Sequence, residues 1–147
     1  MAIAERTART DWEGTLARGS GSITPDSGAF ASLPVTWASR TEQPGGKTSP
    51  EELLAAAHSS CFSMALHLVL GEQDTPADHT SVASTVTLDE VDGKPTVTKS
   101  DIVVRAKVLG VDAAKFQAAV SDAADLCPVS RLFAGAEITV EASLEEA

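Results

Sequence analysis

The pattern of hydrophobic and polar positions divides the chain into segments with a strand period and segments with a helix period. Between residues 6 and 18, apolar residues alternate loosely around Trp12 and Leu16, and the turn sequence "RGSGS" follows. This arrangement predicts an N-terminal antiparallel ribbon. The segment "LPVTWASR", residues 33–40, predicts another short strand, which the Pro-Gly-Gly loop of "TEQPGGK" must end.

A long helix is predicted to begin at Ser49 and to end near Leu70. Ser49 can cap the helix, Pro50 suits the first turn, and Glu52 completes a Ser-x-x-Glu capping box. Gly71 then provides a stop signal. Apolar and small residues cover nearly every face of this segment, so we expect a core helix that is surrounded by protein.

The second half of the chain predicts a long hairpin, a second helix and a last strand. Two alternating segments flank the turn "VDGKP", and a helix with one apolar stripe follows, ending at "LCPVS". The apolar positions are Val82, Val86 and Leu88, then Ile102, Val104, Ala106 and Val108, then Phe116, Ala119, Val120 and Ala123 after the cap Asp112, and finally Ile138, Val140, Ala142 and Leu144. The order of elements predicts an α+β fold with antiparallel sheet.

Composition favours one acidic domain over residues 1–147, since 147 residues with 43% hydrophobic content suit a single core. The net charge of -10 argues against nucleic acid or an anionic membrane as partner. Charged residues near the N-terminus disfavour a signal peptide, which favours a cytoplasmic protein. Histidines and serines interrupt the apolar window Leu53–Leu70, so a core helix is favoured over a membrane span.

Two cysteines in a reducing compartment indicate redox or catalytic use more than a structural bridge. Cys61 lies deep in the predicted helix, about 18 Å beyond the cap at about 1.5 Å per residue, so the helix dipole cannot stabilise its thiolate. No Lys or Arg occurs between Lys47 and Lys94, which leaves His58 or a distant arginine such as Arg40 as the partner. A small buried core residue remains the alternative for Cys61.

Cys127 ends the second predicted helix, where the negative end of the dipole disfavours a thiolate and suits a resolving cysteine better than an attacking one. Its alternative is a hydrophobic residue that closes the helix before Pro128. The three histidines, at 58, 67 and 79, have no partner cluster with metal-ligand spacing, and we expect neither a metal nor a cofactor.

Several motifs together resemble the OsmC and organic hydroperoxide resistance superfamily of thiol peroxidases, and the OsmC branch in particular. They are "WEG" at 12–14, "SR" at 39–40, "SPEELLAAAHSSCFSMAL" at 49–66, "LGE" at 70–72, "VTLDEVDG" at 86–93 and "CPVS" at 127–130. They cover nearly the full length. The resemblance implies an intertwined homodimer in which antiparallel sheets from both chains wrap two central helices, with active sites at the subunit interface.

The resemblance also implies roles for four residues. Cys61 would be the peroxidatic cysteine, Cys127 the resolving cysteine, and Arg40 and Glu51 a pair beside the thiolate, although the organic hydroperoxide resistance branch draws its arginine from an earlier region that includes Arg18. The substrate would be an organic hydroperoxide, with hydrogen peroxide reduced less efficiently, and an external dithiol would regenerate the enzyme. Aromatic residues around the site, Trp37 or Phe30 among them, could line an apolar pocket or belong to the core.

Two other classes of function stay open on the residues alone. One is a redox sensor or small-molecule binding protein, in which Cys61 is oxidised once without turnover. The other is a structural, stress-associated dimer with both cysteines inert. His58 fits packing or support of the site better than the role of an essential base.

Overall fold

A computed structural model of the chain describes residues 1–146, which form two compact units. The first comprises residues 1–53 and the second begins at residue 54. Each unit contains one three-stranded sheet. The predicted α+β class is therefore confirmed, whereas the single domain over residues 1–147 and the homodimer stay predictions.

The N-terminal unit is built on an antiparallel sheet of strands β1 (Ala8–Glu13), β2 (Ser20–Pro25) and β3 (Leu33–Val35), in that order. The predicted ribbon is the β1–β2 pair. The prediction of a strand over residues 33–40 is wrong beyond Val35, because helix α1 (Trp37–Thr41) follows at once. Thr36 and Ser39 form a reciprocal capping box, and these local hydrogen bonds favour a helical turn over a strand.

Helix α2 (Pro50–Glu72) is the long helix that the sequence predicts, and it passes Gly71 by one residue. The Ser49 hydroxyl accepts a hydrogen bond from the Glu52 N–H at 3.1 Å. Met64 and Leu68 are 72% and 54% exposed, so a single chain does not surround α2 as expected. Among residues 1–146, α2 is the one helix long and apolar enough to cross a membrane, a property that core helices share.

The second unit contains strands β4 (Ala77–Val91), β5 (Lys94–Val108) and β6 (Glu137–Leu144), in that order. β4 and β5 form the predicted hairpin, and its turn residues Asp92 and Gly93 both have positive φ, at 52° and 75°. β6 pairs parallel to β5, which corrects the expectation of a wholly antiparallel sheet. The chain returns between these strands through a helical crossover, the connection that parallel pairing requires.

That crossover consists of helices α3 (Ala113–Leu126) and α4 (Pro128–Leu132). Asp112 caps α3 by accepting from the Lys115 N–H at 2.8 Å, as the sequence predicts. The predicted apolar stripe of α3 is buried, and it packs in one core with residues of α2 and β5. Largest among the fully buried members of this core are Phe62, Phe116, Leu66, Leu70, Ile102 and Val104.

Candidate active site

The N-terminal unit contains an ion pair between Arg40 and Glu51. Arg40 Nε lies 2.9 Å from Glu51 Oε1 and Nη2 lies 2.7 Å from the same oxygen, while Nε is 3.2 Å from Oε2. The carboxylate is 10% exposed and the guanidinium side chain 30%. Glu51 therefore fixes the plane of the guanidinium, while part of Arg40 stays open to other partners.

The backbone around Arg40 is tied to the segment that precedes α2. The buried Ser39 hydroxyl donates to the Thr48 carbonyl at 2.8 Å, and the Thr48 N–H donates to the Pro34 carbonyl at 2.9 Å. Through these bonds the short helix α1 is fixed against the residues that lead to Glu51. The Arg40–Glu51 geometry is thus supported by backbone contacts as well as by the ion pair itself.

A small apolar recess lies beside Arg40 in the same unit. Its volume is about 210 Å³, and Trp12, Leu16, Val35 and Trp37 contribute to its walls. The Arg40 guanidinium carbon lies 5.9 Å from the centre of the Trp37 ring, within the range of a cation–π contact. Of the two aromatics that the sequence suggested for a pocket, Trp37 therefore lines the recess at Arg40.

Phe30, the other suggested aromatic, lies elsewhere in the N-terminal unit. It lines a wider open recess of about 780 Å³ together with polar residues such as Glu5 and Asp26. Arg18, the alternative arginine, is exposed in the turn between β1 and β2, where its backbone N–H donates to the Thr15 hydroxyl at 3.2 Å. Within residues 1–146, the arginine that forms an ion pair with a carboxylate is Arg40.

In the second unit, the two cysteines are neighbours with free thiols. Cys61 on α2 is half-buried, Cys127 is fully buried, and the two thiols are close enough for Cys127 to raise the pKa of Cys61. Cys127 is the C-cap of α3, as the sequence predicts, and is also the N-cap of α4. A sequence separation of 66 residues gave no sign of this contact.

Within the single chain, Cys61 is not activated. Burial raises the pKa of the Cys61 thiol, and the adjacent Cys127 raises it further by its hydrogen bond and its charge. A hydrogen bond from the Val129 backbone N–H acts in the opposite direction and lowers the pKa. A thiolate at Cys61 therefore requires an additional positive charge.

His58, one turn before Cys61 on α2, is fully buried and uses both ring nitrogens. Nδ1 lies 2.6 Å from the Ser100 hydroxyl and Nε2 lies 2.8 Å from the Ser130 hydroxyl. The ring also stacks on Phe133 at a centroid distance of 5.1 Å. Burial lowers the pKa of His58, which keeps it neutral at pH 7.

The two serines that bind His58 were missed from the sequence. Ser130 belongs to the "CPVS" motif, but nothing in that motif indicates a histidine partner. Ser100 precedes Ile102 by two residues in the alternation of β5, so the period indicated that it faces the core, but nothing indicated a histidine as its partner. A pairing across 42 or 72 residues is visible only in the folded chain.

Each unit thus contains a pair of groups that thiol redox chemistry uses. The second unit contains two thiols in contact, and the N-terminal unit contains a guanidinium oriented by a carboxylate. With an α+β fold that includes a long central helix, these features define the class of cysteine-dependent redox proteins.

Comparison with known proteins identifies the family within that class. The profile of the OsmC-like protein family matches residues 43–143, and the chain belongs to this family. The chain is 39% identical over 134 residues to Peroxiredoxin OsmC of Escherichia coli, covering 91% of this chain and 92% of that protein. The resemblance inferred from the motifs is confirmed.

A more distant relative and a solved structure agree with this assignment. Organic hydroperoxide resistance protein OhrA of Bacillus subtilis is 34% identical over 97 residues, covering 64% of this chain and 66% of that protein. The crystal structure of an organic hydroperoxide resistance protein OsmC from Legionella pneumophila aligns with a TM-score of 0.75 at 25% identity. That alignment covers 99% of this chain and 100% of the Legionella chain.

Proposed function

We propose that this protein is a thiol peroxidase that reduces organic hydroperoxides to alcohols, with hydrogen peroxide as a poorer substrate, and so protects the cell against oxidative stress. The observation that carries the proposal is the contact between the Cys61 and Cys127 thiols, which supplies an attacking group with a partner for its oxidised form. The names of the relatives, a peroxiredoxin and organic hydroperoxide resistance proteins, support the same activity.

In the first step, the Cys61 thiolate attacks the terminal oxygen of the hydroperoxide. The O–O bond breaks, the sulfur becomes a sulfenic acid, and the alkoxide leaves as an alcohol after it takes up a proton. Arg40 serves this step in two ways: its positive charge stabilises the thiolate, and its N–H groups donate to the oxygen that gains negative charge. Glu51 keeps the guanidinium in one orientation for both tasks.

A second copy of the chain provides the arginine in this proposal. Glu51 and Cys61 both lie on α2, and ten residues at about 1.5 Å each separate them by about 15 Å along the helix. In this proposal, the guanidinium beside Cys61 comes from the second copy, as the family resemblance implies for an active site at the subunit interface. The exposed apolar side chains Met64 and Leu68 on the same helix further support a homodimer, since a second copy would cover them.

In the second step, the Cys127 thiol attacks the sulfenic acid of Cys61, forming a disulfide and releasing water. This reaction protects Cys61 from further oxidation by a second peroxide. An external dithiol then reduces the disulfide and restores both thiols. The cycle requires free thiols at rest and hence a reducing compartment, which favours the cytoplasm. The net charge of -10 favours a protein with no membrane or nucleic acid as partner.

Peroxide consumption with an external dithiol tests the proposal. Purified protein with dithiothreitol should consume many equivalents of cumene hydroperoxide and release cumyl alcohol, faster than it consumes hydrogen peroxide. Consumption that stops at one equivalent per Cys61 would instead favour a redox sensor. No consumption, together with no labelling of Cys61 by iodoacetamide at pH 6, would leave a structural protein with inert thiols.

Replacement of the second cysteine tests the resolving step separately. With excess peroxide and no reductant, Cys127→Ser should reduce one equivalent to form the Cys61 sulfenic acid and a second to form the sulfinic acid, detected as a mass increase of two oxygens. The wild-type protein treated in parallel should form the intramolecular disulfide. If the oxidised wild-type protein contained no Cys61–Cys127 disulfide, or only a disulfide between the Cys61 residues of two chains, Cys127 would be excluded as the resolving residue.

A further inference from the structure

The environment of His58 has a feature that the peroxidase cycle described above does not use. The ring joins three parts of the second unit, because it belongs to α2, binds Ser100 of β5 through Nδ1, and binds Ser130 of α4 through Nε2. Phe133, at the end of α4, stacks on the same ring. Two of its contacts therefore hold one short segment.

That segment is the one that places the groups which meet Cys61. Cys127 is the N-cap of α4, and Val129 is the second residue of the helix, so both are within three residues of Ser130. The Cys127 thiol and the Val129 backbone both influence the pKa of Cys61, and Cys61 packs against the buried cluster that contains Cys127, so both groups lie close to the Cys61 sulfur. A displacement of α4 would move both of them away from the sulfur at once.

The segment that contains α4 is held by apolar packing of Cys127 and Val129 on the core and by the contacts with His58. The helix has five residues, and the Cys127 side chain does not cap it. Isolated helices this short are unstable in water, so its position depends on tertiary contacts. Ser130 is 8% exposed and its hydroxyl binds the His58 ring, which makes that hydrogen bond a direct link between α2 and α4.

We propose that His58 is a positioning residue that holds Cys127 against Cys61 through its bond to Ser130, and so sets the rate of disulfide formation. This inference rests on the proposed peroxidase cycle and concerns only its second step. His58 acts here as a neutral side chain that is hydrogen-bonded through both ring nitrogens. It does not act as a base, since neither nitrogen is free to take a proton from a thiol. The faster the disulfide forms, the less sulfenic acid is lost to a second peroxide.

Two amide substitutions of His58 each retain one of the two hydrogen bonds that the ring makes. A glutamine amide reaches the position of Nε2, so His58→Gln retains a partner for Ser130. An asparagine amide reaches only the position of Nδ1, so His58→Asn retains a partner for Ser100 and loses the one on α4. Both variants remove the aromatic ring and its stacking on Phe133, which makes them matched in lost packing.

The measurement is the competition between disulfide and sulfinic acid at Cys61, read by mass spectrometry after peroxide pulses of increasing concentration. This ratio reports on molecules already oxidised at Cys61, so partial loss of folded protein does not change it. His58→Asn should require about tenfold less peroxide than wild type to overoxidise half of Cys61, and His58→Gln should stay within about threefold of wild type. Equal shifts in both variants, or none in either, would overturn the proposal.

Serine variants keep the test decisive if His58→Asn does not fold. Ser130→Ala removes only the hydroxyl on α4 and should raise overoxidation as His58→Asn does. Ser84→Ala is its matched control, because Ser84 bonds to Ser100 at 3.0 Å in the same network but does not contact α4. An unchanged ratio in Ser130→Ala would contradict the role of His58.

Failure of this inference is distinguishable from failure of the peroxidase proposal. If wild type consumes peroxide with turnover and all variants overoxidise alike, only the assignment of His58 is wrong. If wild type shows no turnover, the peroxidase proposal itself is wrong.

Discussion

The two compact units prepare their reactive groups in opposite ways. In the N-terminal unit, the Arg40 guanidinium is positively charged and oriented by Glu51. The side chain is 30% exposed, so it can bind an anion. In the second unit, Cys61 is enclosed beside a second thiol, and its surroundings raise its pKa. The N-terminal unit contains an oriented cation, and the second unit contains a thiol whose surroundings favour its neutral form.

This difference indicates how reactivity would be controlled in the proposed enzyme. An isolated chain keeps Cys61 protonated and so limits unwanted oxidation, because the thiolate is the reactive form. In the proposed homodimer, a second copy would supply the guanidinium, which would lower the pKa of the thiol. Assembly and activation are then one event.

The largest effect is expected from removal of the nucleophile. Cys61→Ser should abolish dithiol-dependent consumption of cumene hydroperoxide to the level of the uncatalysed reaction, because a serine hydroxyl is not ionised near neutral pH and cannot form a sulfenic acid. Loss of cumene hydroperoxide, followed in a ferrous-oxidation assay, provides the measurement. Residual turnover in Cys61→Ser would show that another group is the nucleophile.

Removal of the cation should have the next largest effect. Arg40→Ala should lower kcat/KM by roughly 10²–10³-fold, since it removes both the charge beside the thiolate and a donor to the leaving oxygen. Arg40→Lys should recover little of this loss, because an ammonium cannot bind a carboxylate bidentately. Arg18→Ala is the matched control. If Arg18→Ala removes the activity and Arg40→Ala does not, the arginine assignment is wrong.

In the N-terminal half of the candidate site, the two charged residues could be predicted from the sequence, but the recess beside them could not. The pairing of Glu51 with Arg40 follows from motifs that the resemblance supplies, while helix signals alone give Glu51 only its place in the first turn of α2. The recess beside them could not be predicted, because it depends on how Trp12 and Leu16 from the β1 ribbon meet Trp37. The strand predicted over residues 33–40 failed because capping bonds of Thr36 and Ser39 decide between strand and helix locally.

In the second unit, periodicity predicted the elements but not what they bring together. The hairpin, α3 and β6 follow from alternation, a cap and a positive-φ turn. The parallel pairing of β6 depends on the path of the crossover, which no period encodes. The resemblance implied that Cys127 pairs with Cys61, whereas the serine partners of His58 are long-range polar contacts. Such pairs leave no pattern in the sequence.

Mixing two inactive variants tests how the two halves combine. If Arg40 acts on Cys61 of a second copy, heterodimers of Cys61→Ser and Arg40→Ala contain one intact site out of two. Random reassociation of equal amounts after denaturation should then recover about a quarter of the wild-type activity. Each variant refolded alone should stay inactive. No recovery, with dimers demonstrated by light scattering, would mean that cation and nucleophile come from the same chain.

The smallest effect is expected on the pH dependence of stability. It depends on His58 and therefore reports on the second unit alone. Burial lowers the pKa of His58 below its ordinary value of 6.5, so the unfolded chain binds a proton at a higher pH than the folded chain does. The resulting contribution to the free energy of unfolding is fully present above about pH 6.5 and is lost as the pH falls through the lowered pKa. The side chains that contact the ring, Ser100, Ser130 and Phe133, are neutral and do not offset it.

Urea unfolding at pH 7.5, 6.0 and 5.0 provides the measurement. Wild type should lose more stability on acidification than His58→Gln, which lacks the titrating ring but retains all carboxylates. His67→Gln is the matched control, since His67 lies on the same helix with an exposed side chain and should lose stability in parallel with wild type. Identical losses in wild type and His58→Gln would show that the buried ring contributes no pH-dependent stability. The acid sensitivity of the second unit would then come from carboxylates alone.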